Sequence, residues 1–181
     1  MDMSEKVTLL DKTFVKYIPS SEIDAAIAKV AAEINEEYRN DDPILLITLN
    51  GAVFFAVDLI KQLDIKCRIS CVKVSSYSGT ESTGQINSLI GLNEDVRGQR
   101  VLILEDIVDT GLTMKRMIES LGTRNPASVS VCSLMVKPDK LEVELDLKYV
   151  AFKIPNEFIL GYGLDFDQAA RGLKDIYTLV Q

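Results

Sequence analysis

Glu105, Asp106, Asp109, Thr110, Gly111 and Thr113 are the residues best placed to do chemistry, within the run VLILEDIVDTGLTM at 101–114. Val101–Leu104 reads as a buried strand with Glu105 and Asp106 at its carboxyl end. Asp109 through Thr113 then lead into a helix. Gly111 lets backbone approach a ligand closely, while the Thr110 and Thr113 hydroxyls and the first helical N–H groups face an anion. Carboxylates repel phosphate but accept hydrogen bonds from sugar hydroxyls, so a ribose phosphate matches both halves of the segment. Helix capping by Asp109 and Thr110 explains one acid, not three within five residues. Paired acids at a buried strand end also carry a like-charge cost unless something binds there.

Other motifs with related chemistry are missing. There is no G-x-G-x-x-G dinucleotide fingerprint and no G-x-x-x-x-G-K-[ST] phosphate loop. Asp106 and Asp109 are three apart, whereas an aspartyl-phosphate loop needs its two aspartates two apart. The chain contains no histidine, which removes Ser–His–Asp, Cys–His and His-ligated metal schemes. Catalysis is left to carboxylates, lysine, backbone groups or an oxygen-ligated metal, for which magnesium is the natural choice.

The elements that must position these residues follow from periodicity. Ser20–Tyr38 reads as an amphipathic helix capped by Ser20 or Ser21, with Ile23, Ile27, Val30, Ala31 and Ile34 on one face. After Pro43, Ile44–Leu49 reads as a doubly buried strand and Val53–Leu63 as a second helix. Ile69–Ser75 is strand-like, Ser76 to Gln85 polar, Thr110–Leu121 helical and Ala127–Val136 a strand ended by Pro138. Tyr149–Lys153 and Phe158–Leu160 complete the strands. This alternation predicts an α/β fold around a mostly parallel sheet flanked by helices, with ligands at the strands' carboxyl ends. The turns to watch are Asn50-Gly51, 105–113 and the segment after Leu160.

Bulk properties agree with one globular domain over residues 1–181, 47% hydrophobic and 26% charged. No apolar run is long enough for a membrane span, and the first residues lack the pattern of an export signal. The net charge of −7, from 27 acids and 20 bases, disfavours a nucleic-acid surface but not a small phosphorylated ligand. Cys67, Cys71 and Cys132 read as reduced thiols of a cytoplasmic protein.

The acidic strand end followed by D-T-G-x-T resembles the signature of the type I phosphoribosyltransferases, and E-D-I-V-D-T-G-x-T-M is most similar to their hypoxanthine-guanine members. Further segments extend the resemblance over nearly the whole chain. It implies that fold, with a small hood contributed by roughly 1–18 and 138–181. It also implies transfer of the 5-phosphoribosyl group from phosphoribosyl pyrophosphate to a 6-oxopurine, with Mg2+ and a homodimer or homotetramer. The implied ribose-phosphate site comprises Glu105, Asp106, Ile107, Val108, Asp109, Thr110, Gly111, Leu112 and Thr113. Asp109 is the implied catalytic residue for proton exchange with the purine ring. Glu105 and Asp106 would bind ribose hydroxyls or metal waters, and Asp109–Thr113 the 5-phosphate.

Asn50, Gly51 and Arg171 correspond to pyrophosphate contacts, with a cis peptide before the glycine and Asn50 where some members carry lysine. Ser76 and Tyr77 correspond to a lid. Lys137, Phe158, Ile159 and Asp165 correspond to purine contacts: Lys137 to the 6-oxo group, Phe158 by stacking, Ile159 through the main chain. Glu105, Asp106 and Asp165 correspond to metal contacts. A xanthine enzyme and an RNA-binding regulator on the same fold stand as alternatives.

Overall fold

The protein is described by a computed structural model covering residues 5–74, 89–92 and 94–180. The chain runs β1 (Lys6–Leu9), β2 (Lys12–Ile18), α1 (Ser20–Glu37), β3 (Ile44–Leu49), α2 (Val53–Ile60), β4 (Arg68–Val74) and β5 (Leu89–Ile90). It continues through β6 (Arg100–Val108), α3 (Leu112–Gly122), β7 (Ser128–Val136), a 3-10 turn (Pro138–Lys140), β8 (Tyr149–Lys153), β9 (Ile159–Leu160) and β10 (Ile176–Leu179).

The larger sheet has six strands in the order β5-β4-β3-β6-β7-β8, all pairs parallel except β4 with β5. Period-two alternation along the strands divides the core. Leu45, Ile47, Leu102 and Leu104 pack towards α1 and α2, while Ile44, Leu46, Val101 and Ile103 pack towards Met114, Met117 and Leu121 of α3. From β3 the chain crosses first to β4 on one side, and β6 returns on the other. The loops after β3 and β6 therefore face each other across the switch point, where such sheets bind ligands.

β6 is longer than the apolar run predicts. Its pairing with β3 stops at Leu104, but its pairing with β7 continues through Glu105, Ile107 and Val108. Glu105 and Asp106 are therefore inside the strand, on an edge that β3 has left. Helix α3 begins at Leu112 rather than Thr110, because Gly111 adopts φ +81°. Helix α2 ends at Ile60 rather than Leu63, since the Gln62 and Leu63 N–H groups bond three residues back, to Leu59 and Ile60. Neither Ser20 nor Ser21 caps α1, whose capping position is Pro19. The cap comes from Asp175 far along the chain, whose Oδ1 accepts the Ser20 N–H at 2.7 Å.

A second, antiparallel sheet has the order β1-β2-β10-β9. Its strands come from both ends of the chain, where the hood is expected. Residues 138–158 do not join this sheet: β8 pairs with β7 in the large one. Asp175 fastens the small sheet to α1, being buried and ion-paired with Lys16 at 3.2 Å. Burial acts to raise its pKa, but the Ser20 N–H and Lys16 outweigh it and hold the carboxyl below its ordinary value.

Candidate active site

At the switch point, Gly51 of the β3 loop lies directly on Asp106 of β6. A Cβ at Gly51 would stand 2.6 Å from Asp106 Cγ, so any side chain there would force that carboxylate to move. The peptide between Leu49 and Asn50 is cis. It falls one bond earlier than expected, and the following residues turn into α2, with Ala52 N–H on Thr48 O and Val53 N–H on Asn50 O. Asn50 is exposed and Gly51 buried. Gly163, at φ +98°, closes on the same loop: a Cβ there would stand 3.1 Å from the Gly51 carbonyl carbon.

Glu105 and Asp106 are both partly buried. The Asp106 N–H donates to Glu105 Oε1 at 3.2 Å, and the Ile107 N–H to Asp106 Oδ1 at 3.0 Å. Burial first, then hydrogen bonding and charge from Asp106, push the Glu105 carboxyl well above the usual range, offset in part by Thr48 and the Asp106 N–H. A raised carboxyl beside a second carboxylate is the electrostatic mark of a place that would favour a cation or sugar hydroxyls.

Beyond the acids lies a cavity of about 180 Å³ lined by Glu105, Ile107, Val108, Asp109, Thr110, Gly111, Thr113 and Met114. The first N–H groups of α3 are at its wall, free of intrahelical partners by helix geometry. Gly111 lines this cavity and is also closely approached from another side. Its Cα side faces Leu141, Val143 and Leu145, so its close approach is to protein on that side.

A second cavity, of about 410 Å³, is lined by Ile107, Asp109, Lys137, Lys140, Asn156, Glu157, Phe158, Ile159 and Leu164. Asp109 and Ile107 line both cavities. Asp109 Oδ1 lies 3.5 Å from the buried Lys137 ammonium, and Oδ2 2.6 Å from Lys140. Phe158 exposes about half its surface and packs edge-on to Phe166 at 5.6 Å between centroids. Its carbonyl is already taken, accepting from the Leu179 N–H at 3.1 Å and the Thr178 hydroxyl at 3.2 Å.

The structure thus brings together Asn50, Gly51 and residues 105–113 across the switch point, and Asp109, Lys137, Phe158 and Ile159 around the larger cavity. Asp165 lines neither cavity. It is ion-paired with Arg171 at 2.6 Å and accepts the Gln168 N–H at 2.9 Å. Arg171 also donates to the Gly163 carbonyl at 2.8 Å, so it braces the turn against Gly51. Ser76 and Tyr77 lie outside the described residues. Lys140, Asn156 and Glu157 were not foreseen. Lys140 had a signal, since a 3-10 turn places residues three apart on one side and so aligns it with Lys137.

Among the described residues no three Cys, Asp or Glu side chains converge as a metal cage. The paired oxygens of Glu105 and Asp106 still suit magnesium, which is commonly held by one or two carboxylates together with substrate phosphates.

The chain is similar in sequence and fold to known proteins. The family model for the phosphoribosyl transferase domain matches residues 19–167. The hypoxanthine-guanine phosphoribosyltransferase of Mycobacterium avium is 41% identical over 169 residues, covering 90% of this chain and 83% of the relative. The hypoxanthine phosphoribosyltransferase of Salmonella typhimurium is 39% identical over 166 residues, covering 90% and 93%. A solved structure of Trypanosoma cruzi hypoxanthine phosphoribosyl transferase superposes with a TM-score of 0.86 at 32% identity, covering 96% and 95%.

Proposed function

The chain belongs to the phosphoribosyltransferase family, and from that premise we propose how its residues carry out the reaction. The reaction is purine salvage: transfer of the 5-phosphoribosyl group from phosphoribosyl pyrophosphate to hypoxanthine and guanine, giving the nucleotide and pyrophosphate. The observation that carries the assignment of roles is that Asp109 lines both cavities, with Lys137 beside it in the larger one.

The smaller cavity takes the ribose 5-phosphate. The α3 N–H groups and Thr110–Thr113 hold the phosphate, and Glu105 and Asp106 accept hydrogen bonds from ribose hydroxyls. The larger cavity takes the base, stacked on the exposed face of Phe158, with the Lys137 ammonium donating to the 6-oxo group. That contact favours oxopurines, because the amino group of adenine offers no matching acceptor. Asp109, between the two, exchanges the proton of the attacking ring nitrogen as the bond to C1 forms and pyrophosphate leaves. Lys137 and Lys140 hold the Asp109 carboxylate in place until base enters. Asn50, Gly51 and Arg171 form the pyrophosphate end, and Ser76 and Tyr77 are assigned to the lid.

Magnesium, when bound, would be held by Glu105 and Asp106 and would neutralise the leaving diphosphate. The exposed apolar side chains Val53, Phe54 and Val57 on α2 support a homodimer or homotetramer. The free thiols Cys67, Cys71 and Cys132 support a reducing, cytoplasmic setting.

The test is to incubate the protein with magnesium, phosphoribosyl pyrophosphate and hypoxanthine, guanine, xanthine or adenine in turn, following nucleotide and pyrophosphate. Hypoxanthine and guanine should react and adenine should not. Preferential use of xanthine would overturn the base assignment, and no product from any base would overturn the reaction.

A further inference from the structure

Residues 141–148, LEVELDLK, alternate apolar and charged side chains without a break. Burial alternates with them: Leu141, Val143, Leu145 and Leu147 are partly buried, whereas Glu142, Glu144, Asp146 and Lys148 are exposed. That pattern belongs to a strand with one buried face. Yet the segment joins no ladder among the described strands, and runs as an extended strap from the 3-10 turn to β8. Leu145 and Leu147 pack on the α3 side of the core.

The upper end of the strap reaches the turn before α3 from behind. The Glu142 N–H donates to the Thr110 carbonyl at 2.9 Å. A Cβ at Gly111 would stand 2.8 Å from Leu145 Cδ1, 3.0 Å from Val143 Cγ2 and 3.2 Å from Leu141 Cδ2. None of these three side chains lines either cavity. The lower end is anchored at the opposite end of the strands, where Lys148 pairs with Glu37, itself bound to Arg100 and to the Tyr149 hydroxyl at 2.6 Å.

We propose that the 141–148 strap is a positioning element for the reaction, holding Gly111 in its left-handed conformation and so aiming the α3 N–H groups at the 5-phosphate. Val143 and Leu145 are its positioning residues. The inference rests on assigning the 5-phosphate to that turn. Glycine can occupy many backbone conformations, and φ +81° is only one of them. The side chains behind Gly111 remove the room for others, and the Glu142–Thr110 bond fixes the preceding peptide. Truncating them lets the turn sample conformations in which its donors no longer converge, a loss of preorganisation rather than of contact.

The experiment compares the parent chain with Leu145→Ala, Val143→Ala and the volume-conserving Leu145→Met. Ribose 5-phosphate affinity is measured by calorimetry, which needs no turnover, beside KM for phosphoribosyl pyrophosphate and for hypoxanthine. Both alanine variants should weaken ribose 5-phosphate and raise KM for phosphoribosyl pyrophosphate roughly tenfold. KM for hypoxanthine should stay within about twofold, and Leu145→Met should restore parent behaviour. Unchanged ribose 5-phosphate affinity in both alanine variants, or an equal loss for base and ribose phosphate, would overturn the strap's role. So would a parent chain that does not bind ribose 5-phosphate. A parent chain that binds it but forms no nucleotide refutes the reaction alone, and the affinity ratios still decide the strap.

Discussion

Replacing Gly51 with alanine puts a methyl group where the Asp106 carboxylate now stands. The new Cβ would be 2.6 Å from Asp106 Cγ, whereas carbon atoms prefer about 3.5 Å. Asp106 Oδ2 would be closer still, so more than about one ångström must be found. Asp106 is the softer partner: its Oδ1 is held by a single N–H, that of Ile107, at 3.0 Å. Gly51 is tied on its other side to Gly163. The side chain should therefore swing, and the fold should survive with about 1 kcal/mol lost. Activity should not survive so well, since misplacing a substrate-positioning group by about an ångström costs on the order of 100-fold. Steady-state kinetics should show kcat/KM for phosphoribosyl pyrophosphate falling by that factor while KM for hypoxanthine is nearly unchanged. If the damage passes through Asp106, adding Gly51→Ala to Asp106→Ala should cost little beyond Asp106→Ala alone. Additive losses, or a Gly51→Ala chain within about threefold of the parent, would refute the reasoning.

Two further predictions use other parts of the structure. Lys137→Ala should raise KM for hypoxanthine at least about tenfold while leaving phosphoribosyl pyrophosphate affinity close to the parent's, a split read from paired saturation curves. Asp175→Asn should lower stability by roughly 1–3 kcal/mol in thermal or urea melts, because it removes a negative charge 3.2 Å from Lys16 and weakens the cap on α1. The folded Asp175 carboxyl is depressed, so its contribution is present above the ordinary carboxylate pKa and is lost as pH falls through the lower folded value. The melting temperature of Asp175→Asn should therefore fall less steeply at acid pH than the parent's, and parallel acid limbs would contradict the assignment.

The acidic strand end and its glycine turn were legible because their features are local. Four apolar residues, two acids and a glycine turn into an amphipathic helix lie within fourteen positions. The sheet and its helices were legible because Ile44–Leu49 is an unbroken apolar run of strand length and Ser20–Glu37 has a clear helical period. The extension of β6 through Glu105 and Asp106 was hidden, because pairing with β7 rather than hydrophobicity carries the strand onward. The hood strands β1 and β2, KVTL and KTFVKYI, mix polar and apolar residues and are stabilised by β10 from the other end of the chain. No local pattern announces that pairing. The Asp175 cap on Ser20 likewise joins residues 155 apart. The strap shows the converse, a clean strand alternation that joins no ladder among the described strands.

The central claim is that Asp109 serves the purine proton while its neighbours hold the ribose phosphate. Asp109→Asn tests it most directly, read as single-turnover rate with hypoxanthine beside equilibrium affinity for phosphoribosyl pyrophosphate. The account predicts a rate loss of about 100- to 1,000-fold with affinity within about threefold. Rate and affinity falling together would place Asp109 among the binding residues and contradict it.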